Sequence, residues 1–115
     1  MHRTLFVAYM DGRVAALNYS TGSTLWIADK MPEKSEFFGA LIVDRLRDLL
    51  YGVNMHGWVV AINPHTGDLV SSAGPVASTV ANVLGPALSD DYGALYVGVY
   101  HAQGGGKLIA VPLPP

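Results

Sequence analysis

The 115-residue sequence contains no cysteine. Disulfides, thiolate metal ligands and cysteine nucleophiles are therefore excluded, and the redox compartment is left open. Charge is also scarce. Charged residues make up 14% of the chain, well below the roughly one quarter of an average soluble domain. Seven basic residues face nine acidic ones for a net charge of −2. No basic run stands out, so nothing marks a nucleic-acid or anionic-lipid surface. No apolar run approaches the roughly 18 residues of a membrane-spanning helix. The opening MHRTLFVAYMDG does not read as a signal peptide, because its apolar run is short and breaks at Asp11-Gly12. An exported parent is expected to carry its signal upstream. What is abundant is apolar surface. A hydrophobic fraction of 50% suffices for a packed core and is too high for a disordered chain. The length allows one ordinary domain at most. So few charges on so apolar a chain suit a piece of a larger, well-buried assembly.

The dominant pattern is a repeat. Shifted by 45 residues, LFVAYMDGRVAALNYSTGSTLW lands on LLYGVNMHGWVVAINPHTGDLV. Gly57 falls on Gly12, Ala61 on Ala16, Asn63 on Asn18, Thr66 on Thr21 and Gly67 on Gly22. A third copy opens at the same offset with Leu95-Tyr96, places His101 behind His56, and resumes after extra glycines as GKLIAV.

Each copy reads as short antiparallel strands. Residues 4–10 are rich in β-branched and aromatic side chains. Asp11-Gly12 then predicts a two-residue type I′ hairpin, with positive φ at both central positions. Residues 13–18 return. In the turn that follows, the Asn18 side chain is expected to cap the backbone and Gly22 to take the left-handed position. Residues 24–28 form a third strand anchored by Trp26. Residues 29–36, broken by Pro32, read as a solvated connection. Residues 37–44 enter the second copy, and Arg45 to Asp48 form its turn. Residues 49–55, 58–63 and 68–72 continue as strands joined at His56-Gly57 and at Pro64 to Gly67. Residues 71–84 read as an extended connection, with Gly74-Pro75 against a helix. Residues 85–89 repeat the entry strand, with a turn at Asp90 to Gly93. Residues 94–100 and 107–111 form a last hairpin across a connection from His101 to Gly106. Pro112, Pro114 and Pro115 stop further ladder pairing.

A period in the forties with about four strands per unit is the signature of a β-propeller. Four-stranded sheets bury their faces only by stacking. A β-sandwich has no reason to repeat at a fixed offset. The fold class is therefore all-β, with four-stranded antiparallel blades of a partial propeller: an incomplete blade over 4–28, a complete one over 37–73 and an incomplete one over 85–111. That makes about ten strands. Joining the third copy to the first copy of another chain would leave mismatched strands, so self-assembly does not readily mend the ring. Alone, the chain is expected to be marginally stable or to associate.

The segment AALNYSTGSTLW resembles the tryptophan-docking motif of quinoprotein-type β-propellers, the PQQ-like repeats. That pattern runs approximately Ala-x-Asp/Asn-x-x-Thr-Gly-x-x-x-Trp, and Ala16, Asn18, Thr21, Gly22 and Trp26 fit it. The second copy keeps Ala61, Asn63, Thr66 and Gly67 but has Ser71 at the tryptophan position. The third keeps Gly106 and Ala110 and departs at Pro112. The resemblance covers nearly the whole chain. It implies that Trp26 docks between blades as a structural residue, and that the parent has about eight blades over about 360 residues. WD40 repeats would show Gly-His and Trp-Asp signatures, and Kelch repeats would show regularly spaced glycine pairs; neither is present.

No catalytic, cofactor-binding or metal-binding residue emerges from the pattern. His56 and His101 occupy equivalent turns, expected about 10 Å or more apart, too far to share an ion bound at near 2 Å. His65 lies at the other end of its strand and His2 near the terminus. Asp44, Asp48, Asp90 and Asp91 read as solvated turn residues, with no DxDxDG calcium loop. There is no GxSxG, HExxH or P-loop, and Gly104 to Gly106 open no helix for a phosphate. Ser20, Thr21 and Thr66 have turn-building roles. Trp58 is a candidate for surface recognition.

Three functions stay open. The favoured one is a non-catalytic scaffold or binding surface within a larger protein. Its resemblance is to the propeller lipoprotein of outer-membrane assembly machinery and to sensor-domain propellers. The second is a fragment of a PQQ- and calcium-dependent alcohol or sugar dehydrogenase, with PQQ and Ca²⁺ held by a full-length parent. The third is a propeller appended to another enzyme. Expected partners are the remaining blades, with a further protein partner possible, and neither nucleic acid nor a membrane span. The resemblance alone suggests a periplasmic or extracytoplasmic parent. Fold does not fix function.

Overall fold

The computed structural model describes residues 4–9, 12–28, 41–53, 58–73, 82–83, 87–89, 93–101 and 105–113. These residues form eleven strands and no helix. The first sheet holds β1 (Thr4–Ala8), β2 (Val14–Asn18) and β3 (Thr24–Ala28) in that order. The second holds β4 (Ile42–Asp44), β5 (Leu49–Val53), β6 (Val59–Ile62) and β7 (Leu69–Ala73). The third is built on β10 (Ala94–His101). On one side β10 pairs with β11 (Gly105–Pro112); on the other it pairs with β8 (Asn82–Val83) and β9 (Ala87–Leu88). All ladders are antiparallel. The chain is an all-β stack of propeller-type sheets.

Alternation along the strands explains the stacking. In β5 and β6 of the middle sheet both faces are buried. Leu50, Val60 and Ile62 turn toward the first sheet, where they meet Val14, Ala28, Phe6 and Trp26. Tyr51, Val53, Val59 and Ala61 turn the other way and meet Leu95 and Val97 of the third sheet. Two apolar seams therefore hold three sheets together, and each fully buried Leu, Ile or Val in them is worth about 1.5–3 kcal/mol against exposure.

Four details depart from the sequence expectation. The first hairpin is not a two-residue type I′ turn at Asp11-Gly12. Tyr9 N–H donates to Arg13 C=O at 2.8 Å and Gly12 N–H to Tyr9 C=O at 3.1 Å, so three residues lie between the closing pair. Gly12, at φ 93°, takes the left-handed place that ends such a loop in a bulge. The Arg13 guanidinium lies 4.8 Å over the Tyr9 ring, which closes the loop from the side. The expected entry strand over 37–44 is strand at Ile42–Asp44, and its residues 37–40 lie outside the described residues.

The remaining departures concern the third sheet and Asp44. Residues 71–84 are not one connection: β7 runs to Ala73, and Asn82–Val83 pairs with Tyr100 and Val99. Asn82–Val83 and Ala87–Leu88 both pair with β10 on its entry side, and the described residues form eleven strands. The final hairpin extends through His101 and begins again at Gly105, so Gly105 and Gly106 are ladder residues rather than loop. Pro112 closes the ladder opposite Ala94, a position open to proline because β11 is an edge strand. Finally, Asp44 is fully buried rather than solvated. The expected turns at His56-Gly57 and Asp90-Asp91, the Pro32 connection, the Gly74-Pro75 segment, Gly104 and His2 lie outside the described residues.

Candidate functional site

The best-defined polar site is a turn used twice. In the first copy the Asn18 carboxamide oxygen accepts the N–H groups of Ser20 (2.9 Å) and Thr21 (3.1 Å). Gly22 N–H donates to Asn18 C=O, and Asn18 N–H to Ser23 C=O, both at 2.8 Å. In the second copy Asn63 accepts from His65 N–H at 2.8 Å. Gly67 N–H bonds Asn63 C=O, and Asn63 N–H bonds Asp68 C=O, again at 2.8 Å. Thr21 and Thr66 each accept the N–H two residues on, at 3.2 Å in both turns. Gly22 and Gly67 sit at φ 76° and 83°. An Asx cap, a hydroxyl cap and a left-handed glycine close the same loop in both copies.

The second turn carries more than its own backbone. Trp26 reaches across from the first sheet and donates its indole N–H to the Pro64 carbonyl at 2.9 Å. Its ring lies against Gly67 so closely that a Cβ there would stand 2.6 Å from Trp26 Cε3. The indole also meets Phe6, centroid to centroid 6.0 Å at a 37° tilt. Ala16 pairs with Trp26 and is fully buried. Ala61, its counterpart, pairs with Ser71. A register shift follows each alanine, between Ala16 and Leu17 and between Ala61 and Ile62. Six of the nine motif residues thus make two like turns, Ala16 and Ala61 lie in the strands that lead into them, and the Trp26 indole joins the first sheet to the second turn.

A second polar cluster lies at the start of β5, and the sequence reading missed it. Buried Asp44 accepts from Leu46 N–H (3.0 Å), Arg47 N–H (3.1 Å), the Arg47 guanidinium (2.9 Å) and the Tyr51 hydroxyl (2.6 Å). Burial by itself would raise the Asp44 pKa. The bonds from Tyr51 and from Arg47, with the guanidinium charge, outweigh it and hold the carboxyl below the usual aspartate value. Burial, then the hydrogen bond to Asp44 and the charge of that carboxylate, pushes the Tyr51 phenol well up, so it stays a donor. Asp48, at φ 55°, ends this turn, and its carboxylate meets His65 Nε2 at 2.8 Å in an exposed pair. The signal was present in sequence: an aspartate ending the apolar run LIVD, with Arg47 and Tyr51 within reach.

Among the described residues no three His, Asp or Glu side chains gather as metal ligands. Asp44 is committed to four donors, Asp48 to His65, and Asp68 to Thr66 at 3.0 Å. Those donor sets do not fit a calcium-bound quinone. Trp58 is half-buried at the start of β6. No helix among the described residues is long and apolar enough to cross a membrane.

The stacked antiparallel sheets of three and four strands, with a twice-used Asx turn, have the fold of a quinoprotein-type β-propeller. Neither a protein-family model nor a curated protein matches the sequence, whereas solved structures do. The chain is similar to BamB from Moraxella catarrhalis, with a TM-score of 0.67 and 20% identity over 95% of this chain and 30% of that one. It is similar to the quinohemoprotein alcohol dehydrogenase of Comamonas testosteroni, at 0.64 and 14% identity over 94% and 19%. It also resembles the dihydro-heme d1 dehydrogenase NirN, at 0.66 and 20% over 96% and 22%. The likeness is one of fold. The chain spans less than a third of each of these proteins.

Proposed function

We propose that the chain serves as a non-catalytic segment of a quinoprotein-type propeller, a scaffold or binding surface within a larger protein. The observation that carries this reading is the use made of its ordered polar groups. Asn18, Thr21, Asn63, Thr66, Asp44 and Tyr51 all spend their hydrogen bonds on turns and on one another. The nine motif residues Ala16, Asn18, Thr21, Gly22, Trp26, Ala61, Asn63, Thr66 and Gly67 act in this reading as structural elements that fix one blade on the next. The blades span 4–28, 37–73 and 85–111, and the partners are the remaining blades of the propeller together with a protein docked on its surface.

A fragment of a PQQ- and calcium-dependent dehydrogenase is the second reading, favoured by the alcohol dehydrogenases among the structural neighbours. In that case blades beyond this chain would supply the quinone and calcium ligands. Titration of the purified chain with PQQ and Ca²⁺, followed by tryptophan fluorescence, separates the two. The scaffold reading expects no saturable change. Saturable quenching would overturn it.

A further inference from the structure

The turn used twice differs between its copies in one chemical respect. The first reads Asn18-Tyr19-Ser20 and the second Asn63-Pro64-His65. Asparagine, then any residue but proline, then serine or threonine is the acceptor pattern for a glycan on the asparagine amide. Of the four asparagines in the sequence only Asn18 opens this pattern, so a single site is at stake. Three residue types fix little by themselves, and the folded turn supplies the rest.

We propose that the side-chain nitrogen of Asn18 is an acceptor site for an N-linked glycan. The Asn18 oxygen is committed to Ser20 N–H at 2.9 Å and Thr21 N–H at 3.1 Å, whereas among the described residues no hydrogen bond uses its Nδ2. The bond from Ser20 N–H brings the hydroxyl-bearing residue back to the carboxamide. The Ser20 hydroxyl itself enters no hydrogen bond among the described residues, because the hydroxyl cap of this loop is Thr21. Tyr19 and Ser20 are both exposed. Transfer joins Nδ2 to the anomeric carbon of a sugar carried as a lipid-linked diphosphate. The bond from that carbon to the diphosphate breaks, and Nδ2 gives up one proton. The oxygen is untouched, so both backbone caps of the turn survive the modification.

The second copy shows what a neighbouring sheet does to such a turn. With the Trp26 indole bonded to its carbonyl, Pro64 is buried, yet Asn63 stays half-buried, like Asn18, and His65 stays exposed, like Ser20. An indole seated on the first turn in the same way would leave Asn18 and Ser20 as they are. The two copies thus share one backbone and one pattern of exposure at the outer two positions. They differ in the chemistry a glycan needs, since the second has proline in the middle and no hydroxyl after it. The proposal is indifferent to whether the parent is a scaffold or a dehydrogenase.

Incubation of the purified full chain with a eukaryotic-type oligosaccharyltransferase and a lipid-linked oligosaccharide tests it, read by intact mass and peptide mapping. One glycan per chain is expected, on Asn18, with the far-UV β spectrum retained. Ser20→Thr is expected to keep the adduct, and Asn18→Gln and Ser20→Ala to abolish it. The sharpest variant is Tyr19→Pro, which copies the second turn. The same turn already accommodates Pro64, so the β spectrum is expected to hold while the glycan is lost. An unmodified wild-type chain would overturn the proposal, as would an adduct that persists in Asn18→Gln or Tyr19→Pro. An adduct formed only on chain without a β spectrum would overturn it too. Should Tyr19→Pro itself lose that spectrum, Ser20→Ala carries the same test at an exposed hydroxyl.

Discussion

The two seams bury similar apolar side chains and are pinned differently. At the first, Trp26 of one sheet meets a complete Asn-x-x-Thr-Gly turn of the next, with a ring on Gly67 and a hydrogen bond on Pro64. At the second both halves of that pin have changed. Ser71 stands opposite Ala61 where Trp26 stands opposite Ala16, and the third copy runs into Pro112 where the turn would begin. An indole without its glycine would clash with a side chain, and a turn without its indole would expose its carbonyl. Donor and acceptor are therefore lost together. The second seam instead has Tyr51 in its apolar cluster, with its hydroxyl held on buried Asp44. One repeat can be fastened either by a contact that crosses the seam or by a polar anchor that fixes a side chain from behind.

Trp26→Ala is the substitution expected to break this contrast most severely. It empties part of the first cluster and leaves the Pro64 carbonyl without its donor, for a loss of about 3–5 kcal/mol. Trp58→Ala, at a half-buried position, is expected to cost less. Equal and small losses in urea titrations would count against the docking role of Trp26.

The glycines offer a finer comparison. Gly22 and Gly67 have the same left-handed backbone, yet a Cβ at Gly22 meets nothing within 4 Å, while one at Gly67 meets the indole. Gly22→Ala is expected to cost about 1–2 kcal/mol from φ alone. Gly67→Ala is expected to cost that and more, because ring or turn must move. Similar midpoints for the two variants would show that the indole yields freely.

The polar anchor of the second seam gives the smallest effect and a pH signature. Tyr51→Phe removes one donor from Asp44 and is expected to cost about 1–2 kcal/mol. Because the folded Asp44 pKa lies below its unfolded value, its contribution is complete above the ordinary aspartate range near 4 and fades as pH falls through the lower folded value. Asp44→Asn is expected to flatten that acid limb of the stability curve. An unchanged limb in acid titrations of Tm would remove Asp44 from the account.

How much of this was legible in the sequence depended on whether the repeat spoke to it. The Asn18 and Asn63 turns could be read because side-chain caps and left-handed glycines are local devices, and the fixed offset showed them twice. The stacking of sheets followed from the period. The contact of Trp26 with Pro64 and Gly67 did not follow from spacing, since it joins different sheets; only the family resemblance pointed toward docking. Asp44 was misread because turn aspartates are usually solvated, and its burial depends on Arg47 and Tyr51 folding back over it. The first hairpin was misread because Asp-Gly serves both two- and three-residue loops, and the choice lies in the closing pair Tyr9 and Arg13. Asn82–Val83 was hidden by the Gly-Pro pairs on either side, which argued against a strand so short.

The central claim is that the indole of Trp26 and the bare backbone of Gly67 are two halves of one pin. A double-mutant cycle over Trp26→Ala and Gly67→Ala, measured by urea denaturation, tests it most directly. Gly67→Ala is predicted to be costly beside the intact tryptophan and, once Trp26 is alanine, to fall to the backbone strain of Gly22→Ala. An identical cost for Gly67→Ala in both backgrounds would contradict the account.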